Sequence, residues 1–422
     1  MVDADQTFVI VGGGLAGVKA AETLRAEGFN GRVILIGDEV DPPYERPPLS
    51  KGYLTGKEPR EHAFVHESAW YAENDVELHL GQPVTSIDRA TRSVRLGDGT
   101  TIRYDKLLLA TGSEPRRLDI PGTDLAGVHH LRRLAHADLL QGTLAALGRD
   151  NGHLVVAGAG WIGLEVAAAA RGYGAEVTVV EPAPTPLHQV IGPELGQLFA
   201  DLHAGHGVRF HFGTRLTEIV GQDGMVLAAR TDDGDEHPAH AVLVAVGAAP
   251  CTALAENAGL ALVDRAHGGG IAVDASLRTS DPDIHAAGDV AAAEHPLLRT
   301  RLRIEHWANA RAGGSTAARA MLGRDVSHDR VPYFFSDQYD LGMEYSGWAP
   351  PGTYDQVVLR GDVGKREFIA FWLKDRRVLA GMNVNVWDVT PVIQELIRSG
   401  APVDPEALAD PSTPLTAVVP RP

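Results

Sequence analysis

The chain carries one cysteine, Cys251, in 422 residues. That scarcity excludes an internal disulfide and any C-x-x-C redox pair, and with them disulfide reduction by such a pair. No cysteine cluster is available either, and no metal site is expected. No apolar run approaches the roughly 20 residues that cross a bilayer, so no membrane association is expected. The opening Met1-Val2-Asp3-Ala4-Asp5 lacks the basic and apolar regions of a secretory signal, and a cytoplasmic location is expected. Positive charge is scarce as well: 38 Lys and Arg face 55 Asp and Glu, for a net charge of −17. General nucleic-acid binding needs a basic surface that displaces counterions, so that class is excluded. A local basic patch for an acidic partner remains compatible with this balance.

What is present is ordinary in bulk and specific in pattern. With 44% apolar and 22% charged residues, the composition is that of a soluble globular protein. The length allows two or three domains of roughly 100–200 residues. The pattern is a repeat. Gly12-Gly13-Gly14-Leu15-Ala16-Gly17 follows the apolar strand Phe8-Val9-Ile10-Val11, and Gly158-Ala159-Gly160-Trp161-Ile162-Gly163 follows Leu154-Val155-Val156-Ala157. Each run leads into an amphipathic helix and a second strand that ends near an acid: Asp38 or Glu39 in the first copy, Glu181 in the second. This is the G-x-G-x-x-G dinucleotide fingerprint in its strand-turn-helix context, twice. The first glycine makes the tight turn, the second admits the pyrophosphate, and the third lets the helix close on the strand. Helix N-terminal N–H groups meet the phosphates and the acid meets ribose hydroxyls. Two such sites in one chain imply two dinucleotides and a hydride passed between them.

The repeat extends beyond the glycines. A polar hairpin and a closing strand, Leu107-Leu108-Leu109-Ala110 followed by Thr111-Gly112, recur as Val242-Leu243-Val244-Ala245-Val246 followed by Gly247. A third landmark is a short strand ending at Gly288-Asp289 with a helix-like stretch after it. From about Val331 the chain is enriched in aromatics, with 11 of its 25 Phe, Trp and Tyr, and shows strand alternation, as in Glu367-Phe368-Ile369-Ala370-Phe371-Trp372-Leu373. The fold class expected is α/β: two Rossmann-like dinucleotide-binding domains, glutathione-reductase-like, plus a C-terminal α+β domain. The expected boundaries are 1–113 with 248–328, then 114–247, then 329–422. Glu181 followed by Pro182-Ala183-Pro184-Thr185-Pro186, with no Arg or Lys, favours NADH over NADPH through charge.

Both fingerprints, Ala110-Thr111-Gly112, Ala287-Gly288-Asp289, Arg46-Pro47-Pro48-Leu49-Ser50-Lys51, Glu305-His306-Trp307 and Phe335-Ser336-Asp337-Gln338 together span nearly the whole chain. In these motifs it resembles the FAD-dependent NADH:ferredoxin reductases of bacterial oxygenase systems, the family of the putidaredoxin, rubredoxin and aromatic-ring dioxygenase reductases. The resemblance implies FAD at the first fingerprint, held by Gly12, Gly14, Leu15, Ala16 and Asp38. It places Arg46 and Lys51 beside the flavin, and Val84, Ala110, Thr111, Gly112 and Arg132 along the cofactor. It puts Asp289, after Gly288, on the ribityl chain and Trp307 near the isoalloxazine. NADH is implied at Gly158, Gly160, Ile162, Gly163, Glu181 and Gly247, with Glu165 pairing Lys51 as the catalytic couple. Phe335 stands where the family often carries Trp. The implied partner is a small iron–sulfur ferredoxin or a rubredoxin-type acceptor, feeding a haem monooxygenase or ring-hydroxylating oxygenase. Arg299, Arg301, Arg303 and Arg311 form a candidate docking patch. Two other readings share the same motifs: a redox sensor resembling apoptosis-inducing factor, and an NADH reductase for a small acceptor.

Overall fold

The computed structural model describes residues 5–419. Packing divides it into two units. The first contains the described residues up to Arg46, then Arg60–Glu114 and Ala248–Pro332; the second contains Pro47–Pro59, Pro115–Gly247 and the described residues from Tyr333 onward.

The first unit is built on a five-stranded parallel sheet in the order Ile284–Ala286, Lys106–Leu109, Thr7–Val11, Arg32–Ile36, Val76–His79. Its three central strands read as near-continuous apolar runs because such sheets are covered on both faces: Val9, Ile10, Val33, Ile34, Leu107 and Leu108 are all fully buried. Helix Leu15–Ala26 follows the first strand and lies against helix Trp307–Met321. Gly314 makes that approach possible, since a Cβ there would sit 2.1 Å from the Ala16 carbonyl oxygen. The hairpin strands Val84–Asp88, Ser93–Leu96 and Thr101–Arg103 form their own three-stranded antiparallel sheet and share no ladder with the parallel one. After Asp289 the expected helical stretch is a single 3-10 turn, Gly288–Val290. Strand Ala291–His295 follows at once, because the small apolar residues there pair with Ile271–Val273.

The second unit repeats the plan with the parallel order Val208–Phe212, Glu176–Glu181, His153–Ala157, Ala241–Val244, Val128–His129. Helix Trp161–Tyr173 ends at Gly174 in the left-handed region (φ 94°), a conformation glycine adopts without a Cβ clash. Helix His188–Gly205 is broken at Gly192-Pro193, where proline has no N–H to give the preceding turn. The tail forms an antiparallel sheet of five strands, ordered Tyr333–Gln338, Leu341–Gly347, Arg377–Val384, Glu367–Lys374, Gln356–Asp362. Helix Thr390–Ser399 covers one face of it through Ile393, Leu396 and Ile397. Trp372, Phe371 and Phe368 are fully buried in this sheet, so these aromatics of the tail are core packing, whereas Trp348 and Trp387 are exposed. Two Rossmann-like sheets and a terminal α+β layer are therefore the architecture. Among the described residues no helix is long and apolar enough to cross a membrane.

Candidate functional site

The two fingerprint loops are built alike. Gly12 has φ +123° and a Cβ there would lie 2.1 Å from the Ala110 carbonyl oxygen; Gly158 has φ +99° and would meet the Ala245 oxygen at 2.6 Å. Gly17 and Gly163 close the helix onto the loop, each 2.2 Å by the same measure from the carbonyl of the loop's first glycine. Gly14 and Gly160 differ from these. A Cβ at either would meet nothing within 4 Å, so each faces open space.

Helices Leu15–Ala26 and Trp161–Tyr173 start on Gly14 and Gly160 with no side-chain cap and no acid in the first turn. Their first N–H groups are thus left for an anion, which the positive end of the helix dipole also favours. Both loops therefore fit the pyrophosphate of a dinucleotide. Leu15 and Ala16 are buried at the first helix start, and Ile162 is exposed at the second.

The acids at the ends of the second strands are held differently. Asp38 is exposed. Its neighbour Glu39 accepts from the Tyr44 hydroxyl at 2.6 Å and lies 3.7 Å from Arg46. Glu181 accepts from the backbone N–H of Ala159 at 2.7 Å and of Ala183 at 2.9 Å. These bonds pin its carboxylate to the second glycine loop.

Other expected residues of the first unit gather at strand ends. Thr111 donates its hydroxyl to the Cys251 carbonyl at 2.8 Å, and the Cys251 N–H donates to Gly112 at 3.0 Å. The lone cysteine thus takes part through its backbone. Asp289, buried beside Gly288, accepts from Ser113 Oγ at 2.8 Å. Trp307 opens its helix after His306, whose imidazole burial pushes down to about 4 against the pull of Asp289. Arg311 lies over the Trp307 ring at 5.3 Å. Val84 is half-buried at the first position of its strand.

Two of the four arginines of the suggested patch are committed to the fold. Arg301 donates to the carbonyls of Val273 and Ala292, and Arg303 to those of Gly268 and Asp289. In the second unit Arg132 precedes helix Leu134–Asp150, and Gly247 (φ +97°) accepts from the Arg116 N–H at 2.9 Å.

A dense polar cluster lies within the second unit. Pro47–Ser50 forms a 3-10 turn that presents Ser50 and Lys51 together. Glu165, on the helix of the second fingerprint, is 4% exposed. Its Oε1 accepts from Lys51 Nζ at 2.8 Å and from Ser336 Oγ at 2.6 Å, while Ser50 Oγ donates to Oε2. A buried carboxylate needs such compensation. The Phe335 ring lies 5.4 Å from Lys51 Nζ, within cation–π range. Asp337 feels the same pair: desolvation pushes its carboxyl up, Lys51 opposes the rise, and Glu165 adds to it.

The Lys51–Glu165 couple stands together as the resemblance implied. Reading the sequence missed the two serines as its partners. Strand alternation in Phe335-Ser336-Asp337-Gln338 was the available signal, because Ser336 and Gln338 share the inward face.

Comparison with known proteins completes the site. The model of the pyridine nucleotide-disulphide oxidoreductase family matches residues 6–314, and that of the reductase C-terminal domain matches 333–419. The chain is 38% identical to rhodocoxin reductase of Rhodococcus erythropolis, over 96% of this chain and 92% of that one. It is 40% identical to the ferredoxin–NAD(+) reductase component of the anthranilate 1,2-dioxygenase system of Burkholderia cepacia, over 96% and 97%. The crystal structure of the covalent putidaredoxin reductase–putidaredoxin complex superposes with a TM-score of 0.93 at 35% identity, covering 99% of both chains. The chain is an oxidoreductase of the ferredoxin reductase kind, and it belongs to the pyridine nucleotide-disulphide oxidoreductase family with the reductase C-terminal domain.

Proposed function

We propose that the chain is the NADH-oxidising flavoprotein of an oxygenase system, and that it passes electrons singly to a small ferredoxin or rubredoxin-type protein. The observation that carries this reading is the pair of equivalent, uncapped glycine loops in one chain. The chain's similarity, over 96% of its length, to the reductase component of a dioxygenase system supports it. A flavin bound at the first loop would supply the chemistry that matches a two-electron donor to a one-electron acceptor.

In this reading the first fingerprint domain holds FAD. Gly12 and Gly14 shape the loop, Leu15 and Ala16 open the helix whose N–H groups receive the pyrophosphate, and Asp38 meets ribose hydroxyls. Arg46, Val84, Ala110, Thr111, Gly112 and Arg132 line the cofactor, Asp289 binds the ribityl chain beside Gly288, and Trp307 lies near the ring. The second fingerprint domain holds NADH through Gly158, Gly160, Ile162, Gly163 and Gly247. Glu181 receives its ribose hydroxyls and repels a 2′-phosphate. Lys51, held by Glu165, supplies a fixed positive charge where negative charge develops during hydride transfer.

Anaerobic stopped-flow mixing tests this. Rapid bleaching of the flavin band by NADH and not NADPH, followed by fast reoxidation by one of a panel of ferredoxins, is the expected result. A colourless protein, or a bleached one with a persistent charge-transfer band that no ferredoxin discharges, overturns it.

A further inference from the structure

Glu165 is the end of a longer chain of side chains in the second unit. The Tyr339 hydroxyl lies 3.4 Å from His203 Nδ1, and His203 Nε2 lies 2.8 Å from Gln338 Oε1. Gln338 Nε2 donates to Ser336 Oγ at 3.1 Å, and Ser336 Oγ donates to Glu165 Oε1 at 2.6 Å. His203 is 0% exposed, Gln338 and Ser336 1% each.

Donor and acceptor roles follow from chemistry. Burial pushes the His203 imidazole down to about 4, so at neutral pH the ring is uncharged and carries one N–H. A carboxylate accepts only, so the Ser336 proton points at Glu165 and its lone pair must receive. Gln338 therefore turns its amide N–H to Ser336 and its carbonyl to His203, which places the histidine proton on Nε2 and leaves Nδ1 to accept from Tyr339. Flipping the amide would pit two acceptors against one serine proton. Every proton in the chain points toward Glu165, and hydrogen bonds aligned in one sense in a dry interior strengthen each other. The outer end is anchored too, because Tyr339 stacks on His206 with ring centroids 3.7 Å apart.

We propose that Gln338 and His203 are positioning residues for hydride transfer: through Ser336 they aim and hold the Glu165 carboxylate that carries Lys51. The amide in the middle passes on orientation and does not conduct protons, so this is a brace and not a proton path. The proposal rests on the reading of Lys51–Glu165 as the couple beside the reacting ring. The other charged group facing the couple, Asp337, lies on the same strand and takes no part in the chain.

The test uses the FAD-loaded protein. The chain has only six lysines, so reductive carbon-13 methylation gives a simple spectrum in which Lys51→Arg identifies the Lys51 line. Ser336→Ala and Gln338→Leu are expected to move that line toward those of the exposed lysines. They are also expected to slow the hydride step at saturating NADH roughly tenfold, with the KM for NADH unchanged. Because both act through one bond to Glu165, the double variant is expected to lose no more than Ser336→Ala alone. Ser336→Thr, which keeps the hydroxyl, restores both readouts.

An unmoved line and rate in Gln338→Leu, or losses that add in the double variant, overturns the proposal. If Gln338→Leu does not fold, Ser336→Ala, Ser336→Thr and His203→Phe decide on the same readouts. A Lys51→Met variant with full hydride rate, alongside an intact line-shift coupling, leaves the brace standing and refutes the placement of the couple.

Discussion

The two glycines of each loop make opposite demands, and a set of four alanine substitutions separates them. At Gly12 the backbone sits at φ +123° and the new Cβ falls 2.1 Å from a carbonyl oxygen; at Gly158 it sits at +99° and falls 2.6 Å from one. Backbone strain and overpacking each contribute about 1–3 kcal/mol at such a position, together about 2–6 kcal/mol. That is comparable with the whole stability of a typical domain, about 5–15 kcal/mol. Gly12→Ala and Gly158→Ala are therefore expected to unfold at clearly lower urea, or not to accumulate.

At Gly14 (φ −82°) and Gly160 (φ −79°) the backbone is extended and nothing lies within 4 Å of the new Cβ. An alanine there costs less than about 1 kcal/mol as a poorer helix cap. The new methyl instead projects into the space assigned to pyrophosphate. Gly14→Ala is expected to fold and lose FAD affinity about tenfold or more; Gly160→Ala is expected to keep FAD and lose NADH affinity by a similar factor. Urea unfolding of FAD-stripped protein, reconstitution titrations and stopped-flow NADH binding read these out. A Gly14→Ala protein that binds FAD like the parent refutes the loop assignment. A Gly12→Ala protein as stable as the parent refutes the steric argument.

Three further outcomes follow from the same structure. Glu181→Ala removes the carboxylate pinned at the second loop, and the ratio of kcat/KM for NADH over NADPH is expected to fall about tenfold; an unchanged ratio places the discrimination elsewhere. His203, His285 and His328 are buried with imidazoles pushed down to about 4, desolvation being the leading cause of each shift. Unfolded, they take up protons below about 6.5, so stability holds above that pH and falls toward pH 4, by about 1.4 kcal/mol per pH unit for each histidine. Urea midpoints between pH 8 and 4.5 (roughly spanning that window) check this, and His285→Leu is expected to flatten the slope. Gly314→Ala drives a methyl against the Ala16 carbonyl and is expected to cost about 1–3 kcal/mol, read as a lower Tm.

The parts legible in the sequence are those whose geometry is local. Gly12, Gly14 and Gly17 lie within six residues, and their spacing alone encodes turn, opening and helix contact. The same holds for Gly158, Gly160 and Gly163, and for the alternation of the tail strands. Glu165 is different. Its partners come from Ser50, Lys51 and Ser336, more than a hundred positions away on either side, and no periodicity connects them. The resemblance supplied one of those partners and was silent on the serines. His203 reads as an ordinary helical residue until the fold brings Gln338 against it. Arg301 and Arg303 show the opposite failure: they look like a surface charge run, yet their guanidinium groups are tied to backbone carbonyls, those of two strands for Arg301 and of two 3-10 turns for Arg303.

The bare starts of the two fingerprint helices have a thermodynamic consequence. A serine, threonine, asparagine or aspartate can finish the first turn of a helix with its side chain, but these begin on glycine and leave it open. Whatever phosphate settles there becomes the missing terminus of the secondary structure. Occupancy and folding are then one linked equilibrium, in which resistance to heat climbs with the logarithm of free ligand above its dissociation constant. In a cell the supply of dinucleotides would set how long each copy of the protein survives, as well as how fast it turns over.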